Sequence, residues 1–327
     1  MKIFPIFIPH LGCPFNCVYC DQDTITKSKS PIAQSISDNV KKFCDNNILE
    51  EKEIAFFGGT FTKLSKKLQQ QYFDAVNEYK DALTSIRIST RPDSIDKDII
   101  DFCKNNNVRT IELGVQSFSD EVLSATKRGY TSQVAIESCN LIKKNNIILG
   151  VQLMPGLPGF NTTTLDETIE TTIKLKPDFV RIYPTIVLRN TMLEDWYKDG
   201  EYSPLTLEES IEITSRLVEK FKKEDISVIK VGLHSDIEKD SIIAGPYHQS
   251  FGELVRAEIL KTKILNNFEA KTLKISNKDI SLFKGFDSRM LKELKAKLRL
   301  QKIPIKISTN LKKDNFIFSD VEPDENW

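Results

Sequence analysis

Six short runs rich in β-branched and aromatic residues recur within about 180 residues: Ile3–Ile8, Glu53–Phe57, Ser85–Thr90, Val108–Val115, Ile147–Met154 and Phe179–Pro184. Longer stretches with helical periodicity stand between them, at Ser35–Asn46, Ser65–Tyr79, Asp96–Asn105, Ser132–Asn145 and Thr163–Lys174. Neighbouring parallel strands need a crossover of a dozen or more residues, usually a helix of right-handed sense. The alternation therefore predicts repeated β-α units around a parallel sheet. A helix at Leu207–Lys223 and a strand at Val228–Gly232 extend the pattern.

After about Asp236 the rhythm changes. Ala244–Gly252 is rich in turn residues, Glu253–Leu265 reads as a helix, and Lys271–Phe318 reads as a small β-α-β-β unit. With 327 residues, the chain has room for one α/β barrel and a smaller appendage. The expected domains are a barrel over residues 1–235 and a small α+β region over residues 236–327.

Composition limits the partners. The first ten residues are apolar but short and interrupted by prolines, which excludes a signal-peptide core or a membrane span there. The expectation is a soluble cytoplasmic protein with no membrane partner. Formal charge is zero, yet residues 260–313 hold fifteen Lys or Arg against four Asp or Glu, an excess of 11 that the remainder must offset. Such a segment can steer an anionic partner such as nucleic acid. The chain has 36 lysines and ten arginines, so a solvated lysine-rich face accounts for the same charge.

Three of the six cysteines are packed into Gly12-Cys-Pro-Phe-Asn-Cys-Val-Tyr-Cys20, a C-x3-C-x2-C triplet of Cys13, Cys17 and Cys20. Three thiolates on one loop grip a metal, and in a cubane iron–sulfur cluster they leave one iron open for chemistry. Disulfides would close tiny strained loops. Zinc is the stronger rival, because His10 precedes Cys13 by three residues and would complete a Cys3His tetrahedron. Cys44, Cys103 and Cys139 sit singly in helical stretches and read as small apolar packing.

The remaining informative residues lie at or just past strand ends: Gly58-Gly59-Thr60, Thr90-Arg91-Pro92, Gln116-Ser117, Pro155–Gly159 and Tyr183-Pro184. In a parallel barrel, loops at the C-terminal ends of the strands build the active site. Taken singly, Gly-Gly-Thr is a common turn, an arginine is usually a surface ion pair, and Gln152 is an ordinary strand residue.

Together these motifs resemble the radical S-adenosylmethionine superfamily. The resemblance implies a partial (β/α)6 TIM-like barrel, with a 4Fe-4S cluster on Cys13, Cys17 and Cys20 whose open iron chelates S-adenosylmethionine. It implies further cofactor contacts from Tyr19 to the adenine, from Gly58, Gly59 and Thr60 to the methionine amino group, and from Arg128 to the carboxylate. Gln116 and Gln152 would face the ribose, and Ser89 stands where relatives often carry a glutamate. An arginine suits the carboxylate because its planar fork stays charged and binds bidentately.

Gly114-Val-Gln-Ser-Phe118 and Arg128-Gly-Tyr-Thr131 match the branch that contains oxygen-independent coproporphyrinogen III oxidase and the Elongator catalytic subunit. The stretch from Arg181 to Leu193, which includes Tyr183, is similar to the Elongator type, and the likeness covers roughly residues 3–260. The chain differs in its tight bacterial cysteine spacing and is expected to end before an acetyltransferase domain. Gly232–Asp236 and Ala244–Leu254 resemble short bacterial Elongator-like proteins, which puts His234, Tyr247, His248 and Glu253 at a substrate pocket beside Arg181 and Tyr183 of the Elongator-type stretch. The resemblance implies an external one-electron donor such as flavodoxin or ferredoxin. It also implies hydrogen abstraction from a substrate, with a tRNA base as first choice. The alternatives are a small molecule such as a tetrapyrrole, or a zinc-stabilised binding module without catalysis.

Overall fold

A computed structural model describes residues 2–8, 13, 15–21, 31–45, 51–233 and 237–327. The chain divides into two compact units, residues 1–210 with 220–247 and residues 211–219 with 248–327. No helix among the described residues is long and apolar enough to cross a membrane.

The first unit is built on seven parallel strands: β1 (Lys2–Ile8), β2 (Lys52–Gly58), β3 (Ser85–Thr90), β4 (Val108–Gln116), β5 (Ile148–Leu153), β6 (Phe179–Ile182) and β8 (Ser227–Val231). They pair in the order β1-β2-β3-β4-β5-β6-β8, so each strand lies beside its predecessor in the series. The crossovers include α1 (Ala33–Asp45), α2 (Lys66–Asn77), α3 (Lys97–Asn105), α4 (Asp120–Ala125), α5 (Ser132–Lys144), α6 (Thr162–Leu175) and α7 (Met192–Lys198), and α8 (Leu207–Lys223) follows in sequence before β8, with residues 211–219 assigned to the second unit. This is the α/β partial barrel expected from the sequence, with the strand near residue 228 as the seventh member of its sheet.

Local chemistry starts the helices where they start. Asp96 accepts from the Ile99 amide ahead of α3, and capping boxes at Asn161 with Thr164 and Thr206 with Glu209 open α6 and α8. The outer side of the sheet is apolar: Ile54, Phe56, Ile86, Ile88, Ile111 and Leu113 are each at most 1% exposed. Two short strands, β7 (Val187–Leu188) and β9 (Ile242–Ala244), form a separate antiparallel ribbon.

The second unit has its own four-stranded sheet. It contains β10 (Thr272–Ser276), β11 (Pro304–Ser308), β12 (Phe316–Ser319) and β13 (Glu325–Asn326) in the order β12-β10-β11-β13. Helices α9 (Phe251–Asn266), α10 (Ile280–Lys284) and α11 (Arg289–Leu298) supply the rest. Leu273, Ile275 and Ile305 of the sheet pack with Leu282, Phe283, Leu291, Leu294 and Trp327 in one apolar core.

Candidate active site

The C-terminal ends of β1 to β6 surround a cavity of about 260 Å3. Cys13, Cys17, Tyr19, Cys20, Gly58, Gly59, Thr60, Ser89, Gln116, Arg128, Gln152, Arg181 and Tyr183 all line it, though they are spread over 171 positions of sequence. Parallel pairing explains the gathering: Ile8 lies beside Gly58, Ser89 beside Glu112, and Gly114 beside Gln152, which lies beside Arg181.

The cysteine loop is pinned from two sides. The Val18 amide donates to Thr126 O at 3.3 Å, and Val18 O accepts from the Leu193 amide at 2.8 Å. A turn between them brings the Cys20 amide to Cys17 O at 3.0 Å. Gly58 closes the floor with φ +107°, and a Cβ there would lie 2.6 Å from Ile8 O. Only glycine fits that conformation and that approach. The Gly59 amide then donates to Ile8 O at 2.7 Å.

Arg128 is 5% exposed, and every nitrogen of its guanidinium is occupied. Nη1 donates to Cys17 Sγ at 3.3 Å and Tyr19 Oη at 3.0 Å, Nε and Nη2 donate to Tyr130 Oη at 3.1 and 2.9 Å, and Nη2 also reaches Gly114 O. Burial pulls its pKa down, but the Tyr19 and Tyr130 phenols and the Cys17 thiol outweigh this and hold it above its ordinary value. Burial, with Cys17 and Cys13 adding to it, pushes the Cys20 thiol up to about 12. Gln116 ends β4 in the left-handed region with φ +73° and accepts from Gln152 Nε2 at 3.1 Å. The pair leaves a Gln116 amide donor beside a Gln152 carbonyl acceptor, a match for adjacent hydroxyls. A Cβ on Gly114 would stand 3.1 Å from Gln116 Nε2, so the glycine makes room for that amide.

Below this ring runs an ion ladder that the sequence motifs did not reveal. Arg87 pairs with Glu53 at 2.7 Å and Glu112 at 2.7 Å, and Arg181 Nε faces Glu112 Oε2 at 2.8 Å. Arg181 Nη1 also donates to Tyr183 Oη at 3.3 Å. Glu112 is the one carboxylate among the described cavity-lining residues and stands beside Ser89 in register. Its signal in the sequence is a carboxylate between Ile111 and Leu113 of a β-run, which must find a partner if buried. Arg91 stands out in the sequence only as part of a turn motif, yet it is 4% exposed and lines the cavity.

The structure distributes the other expected pocket residues differently. Tyr247 packs with Leu233 and Ile242 against Ile186, Leu188 and Ile237. His248 and Glu253 belong to the second unit. There His248 Nδ1 accepts from the Ser250 amide at 3.0 Å, and Glu253 pairs with Arg256 at 2.7 Å. Arg256 also binds Asp279 and Asp314, which gives Glu253 a place in a structural ion cluster. His234 and His10 lie outside the described residues.

Among the described residues no three Cys, His, Asp or Glu side chains stand together as a metal site. The donor set nevertheless fits an iron–sulfur cluster in kind: three thiols face one cavity, and two buried guanidiniums at Cys17 offset thiolate charge.

Comparison with known proteins gives the same direction. The model of the radical SAM superfamily matches residues 7–172, and that of the radical SAM C-terminal domain matches residues 177–261. A tRNA uridine(34) acetyltransferase of Methanocaldococcus infernus is 30% identical over 226 residues, 62% of this chain and 42% of that protein. Elongator complex protein 3 of Homo sapiens is 27% identical over 195 residues, 52% of this chain and 35% of that one. The chain thus spans less than half the length of these two relatives. Among solved structures, Elp3 of Methanocaldococcus infernus with an N-terminal deletion superposes with a TM-score of 0.65 at 24% identity, covering 80% of this chain and 63% of that one. Coproporphyrinogen III oxidase of Escherichia coli gives 0.53 at 16% identity, covering 68% and 52%. At these identities the structures speak for the fold alone.

Proposed function

The chain belongs to the radical SAM superfamily, and from that membership we propose an enzyme whose cavity takes up a 4Fe-4S cluster and S-adenosylmethionine to act on a tRNA base. When bound, these cofactors supply one-electron cleavage of the sulfonium C–S bond, which yields methionine and a 5′-deoxyadenosyl radical that takes a hydrogen atom from the substrate. The electron comes from an external donor such as flavodoxin or ferredoxin.

The chain's own residues bind and orient. Cys13, Cys17 and Cys20 are the cluster ligands, and the Gly58-Gly59 turn presents backbone and the Thr60 hydroxyl to the methionine amino group. The Gln116 donor and Gln152 acceptor take the ribose hydroxyls. Arg128 brings positive charge to the methionine carboxylate while anchoring Cys17 and Tyr19. Phe7, Phe57, Ile186, Leu188, Leu233 and Ile237 wall the remainder of the cavity and exclude water from it. Arg181 and Tyr183 place polar groups among those apolar walls, as a base with exchangeable and carbonyl groups requires.

The observation that carries this reading is the convergence of three thiols, a glycine turn, two amides and a buried arginine on one cavity. The tRNA substrate rests on the likeness to a tRNA uridine(34) acetyltransferase and to Elongator complex protein 3, and on the Elongator-like stretch from Arg181. Anaerobic reconstitution tests the cofactors: the expected result is bound iron, broad absorbance near about 400 nm and release of 5′-deoxyadenosine on reduction. A colourless protein with one zinc ends the reading. Salt-dependent, tRNA-selective binding supports the substrate class, whereas indifference to RNA favours a small molecule such as a tetrapyrrole.

A further inference from the structure

Two guanidiniums converge on Cys17 Sγ: Arg128 Nη1 at 3.3 Å and Arg91 Nη1 at 3.7 Å. Cys13 is treated differently, since its thiol donates to Phe15 O at 3.4 Å. Arg128 has an evident task toward the carboxylate of a bound S-adenosylmethionine, whose charge would offset its own. Arg91 has none.

Arg91 is nonetheless held with unusual thoroughness for a turn residue. Nε and Nη2 donate to the Asp93 carboxylate at 2.9 and 3.0 Å, and Nη2 also reaches Arg128 O. The rings of Phe15 and Tyr130 lie 4.4 and 5.2 Å from its Cζ, within cation–π range. Gly129, with φ +76°, makes this possible, because a Cβ there would stand 2.4 Å from the Phe15 ring. A buried cation with a fixed counter-ion and one free edge aimed at a ligand sulfur is a positioned charge.

We propose that Arg91 is a redox-tuning residue: its charge lies against Cys17 Sγ, Asp93 sets how much of it the sulfur feels, and the pair raises the reduction potential of a cluster bound there. Reduction adds negative charge to the cluster, so a nearby cation stabilises the reduced form more than the oxidised one. Hydrogen bonds to cluster sulfurs act in the same sense. This inference rests on the cluster reading above.

The test is an EPR-monitored redox titration, with iron counted per chain and no substrate present, of the anaerobically reconstituted wild type, Arg91→Gln, Arg91→Lys and Asp93→Asn. Arg91→Gln is expected to shift the midpoint to more negative potential and Asp93→Asn to more positive, with Arg91→Lys between the wild type and Arg91→Gln. A purely structural role gives equal midpoints, or shifts of one sign in Arg91→Gln and Asp93→Asn, and either result overturns the proposal. If Arg91→Gln holds no iron, Asp93→Asn decides: a positive shift supports tuning and an unmoved midpoint refutes it. A wild type that takes up no cluster overturns this and the functional reading together, whereas a clustered wild type with unmoved variants overturns this alone.

Discussion

The two sheets of this chain solve opposite problems with the same element. In the small sheet, the covered face carries Leu273, Ile275 and Ile305 and closes on Phe283, Leu294 and Trp327. In the large sheet, the face toward the cavity carries Glu53, Arg87, Glu112, Gln152 and Arg181. Apolar burial is non-directional and tolerates many arrangements. A buried ladder of charges requires every partner to be present and oriented, and it stabilises less than an apolar core of the same volume. The difference teaches where the protein trades stability for a shaped polar surface.

If the polar face serves chemistry, its ligands should be separable from stability. Cys13→Ala is expected to abolish cluster uptake and S-adenosylmethionine cleavage while the unfolding midpoint of the metal-free protein stays close to wild type, since the partly exposed Cys13 thiol makes a long donation to Phe15 O at 3.4 Å. Iron analysis beside a urea melt checks both halves. Retained iron and cleavage would falsify the ligand assignment.

Glu112→Ala attacks the ladder itself. It leaves the partly buried Arg181 without its carboxylate, at a cost of at most about 3–5 kcal/mol. Arg87 retains Glu53, so the loss should stay in that range rather than double. Leu294→Ala in the apolar core is fully buried and is expected to cost about 2–5 kcal/mol. The two variants differ in readout: Glu112→Ala should also alter what the cavity binds, whereas Leu294→Ala should raise hydrogen exchange in α11 and leave cluster content per folded chain unchanged. A loss of cluster from folded Leu294→Ala would break the contrast between the sheets.

The same contrast explains what the sequence made legible. The β3 range Ser85–Thr90 was readable to the residue, because β-branched residues and flanking helix signals agree there. The run Phe179–Pro184 extends two residues past its strand, which ends at Ile182, because Pro184 has no amide to continue a ladder. The β7–β9 ribbon was invisible, as strands of two and three residues carry no periodicity. At the site, motif residues were legible because each is constrained locally: Gly58 by its φ, the cysteines by spacing. The ladder was not, because Glu53, Arg87, Glu112 and Arg181 meet only through strand pairing across 129 positions of sequence.

The smallest expected effect lies in the second unit, at the half-buried ion pairs of Glu293. Glu293 accepts from Lys261 and from Arg289 at 2.9 Å. Burial raises its pKa, but these two cations outweigh it and hold the carboxyl below its ordinary range. A depressed acid contributes stability above the unfolded value of about 4.3 and loses it as pH falls through the lower folded value. Lys261 is the mirror case: burial lowers it, Glu258 and Glu293 outweigh that, and its contribution is lost only as pH rises above about 10.4. Asp324 and Glu325 are also held low, by Lys306 and Lys284, while burial pushes Asp279 up and opposes the trend. Glu293→Gln should therefore shrink the acid limb of a stability–pH curve without removing it, leaving the neutral plateau slightly lower. An acid limb identical to wild type would show that the Glu293 pair is electrostatically idle, and that even the charged rim of the small sheet depends on its apolar core.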